Sequence, residues 1–379
     1  MKSAEFYHKT GNYLEIDGAN IYYEEIENVG KPTLLFLHGG MGNIADYNPI
    51  VPLFSNDYYI VGVDSRGHGK STLGTDSLTY KRLQLDIEAI VNHLQLKAIN
   101  IIGFSDGGVV AYRLALDNNI SIQKIVTIGA LCSQSCPEFN EKFFEGVTLD
   151  DYKIGFKQNF DFYEQHNPQP DADKFIKCVE EMWFDKTENG YPNKIENINI
   201  PVLIVRGNDD MDSLENYVEM TAQLKNSILF NIPFEGHLAW EKYPQFLVEV
   251  TKDFLNKNEF LYIVTENYKT EFTNPITLTM GEKVTIGEDP DPEMNPDTWI
   301  NWAYCIKEDG SNAGFVPEQI IKKDSNNGII LEDYSAKEMN VEKGEIVEGI
   351  KELNGWLLAK NKATGETGWI PLENLELRK

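Results

Sequence analysis

Hydrophobic positions along the chain fall into two textures that meet near residue 257. Before it, short apolar runs alternate with stretches whose apolar residues recur at three- and four-residue spacing. Tyr58-Tyr59-Ile60-Val61-Gly62-Val63 reads as a buried strand, after which Leu83, Ile87, Ile90, Val91 and Leu94 repeat at helical spacing. Thr33–Leu37, Ile99–Gly103, Ile125–Ile128, Val202–Val205 and Ile228–Ile232 read as further strands. Helical patterns cover Gly107–Leu116, 214–224 and Phe246–Phe254. Apolar strands separated by helices predict a parallel sheet covered on both faces, an α/β domain over residues 1–257. Residues 132–195 interrupt the alternation with Phe139, Phe143, Phe144, Phe156, Phe160 and Trp183 among their aromatics, which predicts a helical insertion over one end of the sheet.

Beyond residue 257 the helical period is lost, and short β-rich runs are separated by Gly, Asn, Asp and Pro. These runs repeat. The interval from Trp302 to Gly314 equals that from Trp356 to Gly368, and Gly314-Phe315-Val316-Pro317 matches Gly368-Trp369-Ile370-Pro371. Met280-Gly281-Glu282-Lys283-Val284 resembles Glu342-Lys343-Gly344-Glu345-Ile346-Val347, and Tyr268 and Tyr334 open the two copies. Two small all-β barrels are expected, over 260–321 and 328–379, with 256–259 and 322–327 as linkers.

Charge narrows the partners. The 379 residues carry a net charge of −26, and residues 258–379 alone carry −11. Neither part has the basic balance that a phosphate backbone or an anionic membrane attracts, so nucleic acid and membrane are not expected partners. No window approaches the roughly 18 uninterrupted apolar residues of a membrane span. The opening run Met1-Lys2-Ser3-Ala4-Glu5 has no apolar core of a secretory signal, and the four cysteines (Cys132, Cys136, Cys178, Cys305) have neither disulfide-framework nor zinc spacing. A cytoplasmic protein is expected.

Chemistry concentrates at Gly103-Phe104-Ser105-Asp106-Gly107, a G-x-S-x-G run between a predicted strand and a predicted helix. So tight a turn needs almost no side chain two residues before and after the serine, and it lifts the hydroxyl above the sheet edge. Serine needs a base, itself held by an acid. Of the six histidines, His237 follows the last strand, whereas His8 is near the terminus, His38 and His68 lie in glycine-rich turns, His93 is on a helix and His166 is in the insertion. In Gly207-Asn208-Asp209-Asp210, after the strand Val202–Val205, Asp210 is the expected acid and Asp209 the fallback. Backbone donors for an oxyanion are expected from Gly40, with Met41 as the competing neighbour, and from Asp106. His38 is expected to brace that loop.

Together these residues resemble the α/β-hydrolase family over roughly residues 10–257. Asp64-Ser65-Arg66-Gly67-His68-Gly69-Lys70-Ser71 looks like that family's structural turn, and 132–195 corresponds to its lid. The family's haloalkane and epoxide hydrolases carry aspartate where this chain has Ser105. The resemblance implies Ser105, Asp210 and His237 as catalytic residues and no metal or organic cofactor. Met41, Asp106 and Trp183 are the substrate-contact candidates. The Ser-Asp-Gly-Gly run is similar to the valacyclovir-hydrolase-like branch, in which the acid after the nucleophile holds a substrate amine; a bias toward cationic substrates would follow. The two repeats resemble SH3-like domains, which bind proline-rich segments between aromatic side chains. Tyr334, Trp356 and Pro371 are the candidate groove, although Glu332 and Asn374 replace tyrosines there; the first copy keeps Tyr268, Trp302 and Pro317 but has Glu266 and Ile320.

The expectation is an α/β-hydrolase fold with a helical lid plus two SH3-like barrels. It would cleave a small ester, thioester or amide through an acyl-enzyme, with the barrels docking a peptide partner or the chain itself. Two alternatives use the same residues differently: a perhydrolase or carbon–carbon bond hydrolase on the same triad, and an adaptor whose hydrolase core is a scaffold.

Overall fold

The computed structural model describes residues 4–132, 136–256, 260–272, 274–288 and 301–378. Two compact units divide the chain, Met1–Asn256 and Lys257–Lys379. In the first, eight strands form one sheet: β1 (Asn12–Ile16), β2 (Ala19–Ile26), β3 (Thr33–Leu37), β4 (Tyr59–Val63), β5 (Ile99–Phe104), β6 (Ile122–Ile128), β7 (Val202–Gly207) and β8 (Ser227–Ile232). Their order is β1-β2-β4-β3-β5-β6-β7-β8. From β4 through β8 every pairing is parallel, and β3, β5 and β7 are buried along their whole length, as their unbroken apolar runs require.

The antiparallel pair at the edge was not expected. β1 and β2 are joined through Asp17 and Gly18, at φ 45° and 76°, and β2 then pairs antiparallel with β4. Positive φ at both loop positions is what a two-residue hairpin with right-handed strand twist demands, and Asp-Gly supplies it.

Helices Tyr80–His93, Asp106–Asp117, Leu214–Gln223 and Pro244–Asn256 follow the expected periods. Four more, Cys136–Phe143, Leu149–Gly155, Lys157–His166 and Ala172–Trp183, form the insertion. In the last of these Phe175, Ile176, Val179, Met182 and Trp183 make one buried stripe. The N-terminal segment is not a loose end. Phe6 is 1% exposed and lies against Gly62, and His8 is buried with its Nε2 2.9 Å from Asp64 Oδ2.

The second unit contains β9 (Phe260–Val264), β10 (Thr277–Leu278), β11 (Lys283–Ile286), β12 (Trp302–Lys307), β13 (Ala313–Pro317), β14 (Ile321–Asp324), β15 (Asn327–Ile330), β16 (Tyr334–Ser335), β17 (Ile346–Leu353), β18 (Trp356–Asn361), β19 (Thr367–Pro371) and β20 (Leu375–Leu377). One five-stranded sheet runs β13-β12-β11-β15-β14 and the other β19-β18-β17-β9-β20, while β10 pairs with β16. The sequence copies therefore do not each close on themselves. The opening strand of the second copy, β15, sits between β11 and β14 of the first, and β9 of the first sits between β17 and β20 of the second. The cause is local. Asp324 pairs with Asn327 across a tight turn containing Ser325 at φ 54°, so β15 folds straight back onto β14. The segment read as a linker is this hairpin, and the second sheet is completed by the strand that remains.

Candidate active site

β5 ends at Phe104 and the next helix begins at Asp106, so Ser105 makes the turn alone, at φ 48° and ψ −116°. Serine rarely adopts that conformation, and the surrounding packing holds it there. A methyl group on Gly107 would lie 2.0 Å from the Leu37 carbonyl oxygen, and one on Gly103 2.5 Å from the Gly107 oxygen. The glycines of the motif are needed because backbone meets backbone.

Ser105, Asp210 and His237 line one cavity of about 1060 Å³. His237 Nδ1 donates to Asp210 Oδ1 at 2.7 Å. That carboxylate is 1% exposed and also accepts the Met211 N–H at 2.7 Å and the Tyr217 hydroxyl at 3.1 Å. Burial pushes the Asp210 carboxyl up, but the His237 ring and these donors outweigh it and hold the group below the usual carboxylate value. Asp209 is exposed, and its carboxylate accepts from Asn208 instead. The structure thus brings Asp210, not the fallback, to the histidine.

One supporting residue was not read from the sequence. Glu235 is fully buried, and its Oε1 accepts the N–H groups of Lys242 (2.7 Å) and Tyr243 (2.9 Å), closing the loop that carries His237. No spacing marks it, because its partners are backbone amides.

Gly40 lies where a methyl would meet Asp106 Oδ2 at 2.5 Å and Trp183 Cζ2 at 2.7 Å, so loop, elbow and lid converge there. Asp106 opens its helix, where the first N–H groups have no intrahelical acceptor. The Asp106 carboxylate is not an open anion. It accepts Trp183 Nε1 at 3.0 and 2.9 Å and the Tyr80 hydroxyl at 2.8 Å. Burial pushes its carboxyl above the usual range, with those donors acting in the opposite direction. Trp183 lines the cavity; Met41 is buried at φ 58° and is not among the lining residues. His38 bridges two turns, its Nε2 accepting the Ser65 N–H and its Nδ1 2.7 Å from the Gly39 oxygen.

The lid supplies the apolar wall, including Phe139, Phe143, Phe144 and Phe156, with Phe144 stacked on Trp183 at 4.9 Å. Asp46, Asp106, Asp210, Asp212 and Glu241 also line the cavity, while among the described residues no lysine or arginine does. Among the described residues no group of three or more His, Cys, Asp or Glu side chains is placed to hold a metal ion, and no helix is long and apolar enough to cross a membrane.

In the second unit, Tyr334 and Trp356 line a cavity of about 390 Å³ together with Trp302, Tyr304 and Phe315 of the first copy. Pro371 does not line it and lies opposite Trp356 in the β18–β19 ladder. The aromatic positions of the two copies thus meet in one cleft.

Comparison with known proteins agrees with both folds. A family model described as the alpha/beta hydrolase fold matches residues 32–171, a variant SH3 domain matches 261–324 and an SH3 domain matches 332–372. The chain is 26% identical over 267 residues to the uncharacterized hydrolase YugF of Bacillus subtilis, covering 63% of this chain and 96% of that protein. It is 25% identical over 253 residues to a putative esterase/lipase of Haemophilus influenzae, covering 62% and 88%. Among solved structures, Est816, an N-acyl homoserine lactone degrading enzyme, superposes with a TM-score of 0.55 at 19% identity over 64% of this chain and 99% of that one. A hydrolase from Pseudomonas aeruginosa superposes with a TM-score of 0.53 at 19% identity over 65% and 98%. The chain is a hydrolase built on an α/β-hydrolase domain and followed by two SH3 domains.

Proposed function

We propose that the protein is a serine hydrolase that cleaves uncharged esters, thioesters or amides with an apolar acyl group through an acyl-enzyme. The observation that carries this reading is the Asp210–His237 hydrogen bond at a cavity that also holds Ser105 on its strained turn. Ser105 Oγ attacks the scissile carbonyl and His237 Nε2 takes its proton, while Asp210 keeps Nδ1 protonated and Nε2 free to act. The amides of Gly40 and Asp106 stabilise the tetrahedral oxyanion. His237 returns the proton to the leaving group, and water repeats the sequence to free the acid. The wall of lid aromatics suits an apolar acyl chain, and a cavity with five acidic side chains and, among the described residues, no lysine or arginine disfavours a substrate carboxylate.

Labelling with a fluorophosphonate and hydrolysis of p-nitrophenyl esters test this directly. Ser105→Ala should lose the label and nearly all turnover, since removing such a serine costs up to ~10⁶ in rate. Retention of a tenth of the activity would take Ser105 out of the nucleophile role. A hemisuccinate ester should be a poorer substrate than the butyrate of the same alcohol.

The SH3 pair is read as a peptide-binding module, on the strength of its shared aromatic cleft. Titration with a proline-rich, basic peptide should perturb tryptophan fluorescence in the full chain and lose that response in Trp356→Ala; no response in the full chain would count against it.

A further inference from the structure

Two carboxylates in the cavity wall, Asp106 buried and Asp46 half-buried, have no part in the hydrolytic steps. Asp106 belongs to the turn that carries one expected oxyanion donor, and its side chain reaches Trp183 Nε1 at the end of the lid helix Ala172–Trp183. Asp46 belongs to the short helical turn Ile44–Tyr47 that follows the loop carrying the other, Gly40, and its two oxygens accept Asn159 Nδ2 at 3.0 and 3.3 Å. Asn159 lies on a different lid helix, Lys157–His166. Each donor segment therefore grips the lid through one carboxylate.

Both carboxylates are wedged against the loop they serve. A methyl on Gly42 would lie 2.3 Å from Asp46 Oδ2, and one on Gly40 2.5 Å from Asp106 Oδ2. Asp46 also accepts the Asn43 N–H at 3.0 Å, which fixes the loop's following turn. On the other side the network closes on itself. Tyr80 bonds Asp106 and Tyr191, and Asn140 of the first lid helix donates to the Tyr191 hydroxyl at 2.8 Å and to the Trp183 carbonyl at 3.3 Å. Neither carboxylate can turn without moving the loop or losing its lid partner.

We propose that Asp46 and Asp106 are positioning residues through which a seated lid sets the geometry of the oxyanion hole. The proposal rests on the serine-hydrolase reading above. With the lid seated, Trp183 and Asn159 satisfy the two carboxylates. With the lid lifted, each carboxylate loses a donor, which is costly for the buried Asp106, and the segments that present Gly40 and Asp106 lose the contact that holds them. An acyl chain packed on the lid aromatics favours the seated state. Its binding energy is then realised where charge develops, as faster turnover rather than tighter ground-state binding alone.

The test uses the full chain and p-nitrophenyl acetate, butyrate and hexanoate. Trp183→Phe and Asn159→Leu each remove a lid donor and leave Ser105, His237 and Asp210 untouched. Each should lower kcat on the butyrate by about tenfold, with KM changed by less than about threefold. In the unsubstituted protein kcat should rise with acyl length, and the rise should flatten in both variants. Variants that raise KM and leave kcat alone would overturn the proposal, reducing the lid to a binding wall. If the variants fold poorly, the unsubstituted series still decides: acyl length acting on KM alone defeats the coupling. Failure of the underlying reading looks different, because Ser105→Ala would then keep its label and activity.

Discussion

The His68 imidazole is fully buried, edge-on to Phe175 of the lid at 4.6 Å and 5.1 Å from the His38 ring. Its Nδ1 is 2.9 Å from the Arg66 carbonyl, and its Nε2 has no partner among the described residues. Burial, helped by His38, pushes its pKa down to about 3. The native state keeps the ring neutral well below the pH at which an unfolded chain takes up the proton, near 6.5. Between those values the unfolded state binds more protons, so stability falls as pH falls, by up to ~1.4 kcal/mol per pH unit from this group. Melting temperatures at pH 7 and pH 5 should therefore converge in His68→Asn, whose amide can still donate to Arg66, relative to the unsubstituted protein. Equal pH slopes would assign the acid sensitivity elsewhere. At this scale the sequence was legible where chemistry imposes an order. Ser105, Asp210 and His237, which line one cavity, could be picked out as candidates because each follows a strand. His68, Glu235 and Asp46 could not, because their roles depend on neighbours that only the folded chain brings together.

Elements were legible in proportion to how local their causes are. β3 to β7 announced themselves as apolar runs, since a strand covered on both faces has no polar side to interrupt it. Ser105 was legible as a turn because the glycines two residues to either side are required there: a methyl on Gly107 or Gly103 would come within 2.0 or 2.5 Å of a backbone oxygen. The β1–β2 hairpin was not legible even though Asp17-Gly18 is a strong local signal, because polar residues such as Asn12, Glu15, Asn20, Glu24 and Glu25 break up the apolar runs of its strands. The lid was legible as helical and aromatic. What its helices hold was not, since the bonds from Trp183 to Asp106 and from Asn159 to Asp46 span 77 and 113 residues.

At the scale of the molecule, strand exchange in the second unit is the feature that sequence could not supply. Each SH3 repeat contains every strand of its own barrel, so both self-closed and exchanged pairings satisfy the same pattern. The choice is made by the turn between Asp324 and Asn327. It forms a β14–β15 hairpin at almost no loop-closure cost, whereas self-closure would need that turn opened. The two arrangements predict opposite outcomes for a single buried charge. Ile330 of β15 and Val264 of β9 are each 1% exposed, and an unpaired aspartate at either should cost several kcal/mol. With strands exchanged, Ile330→Asp should first remove amide hydrogen-exchange protection from β11 and β14, its neighbours in the sheet of the first copy. Val264→Asp should instead deprotect β17 and β20. Self-closed barrels would give the reverse, with Ile330→Asp loosening β17 and Val264→Asp loosening β11. Mass-spectrometric hydrogen exchange on the full chain reads both outcomes in the same peptides. The exchanged result would also explain why aromatic residues of both copies line one cleft: each copy's sheet is completed by a strand of the other, so neither can turn away from its neighbour without losing an edge.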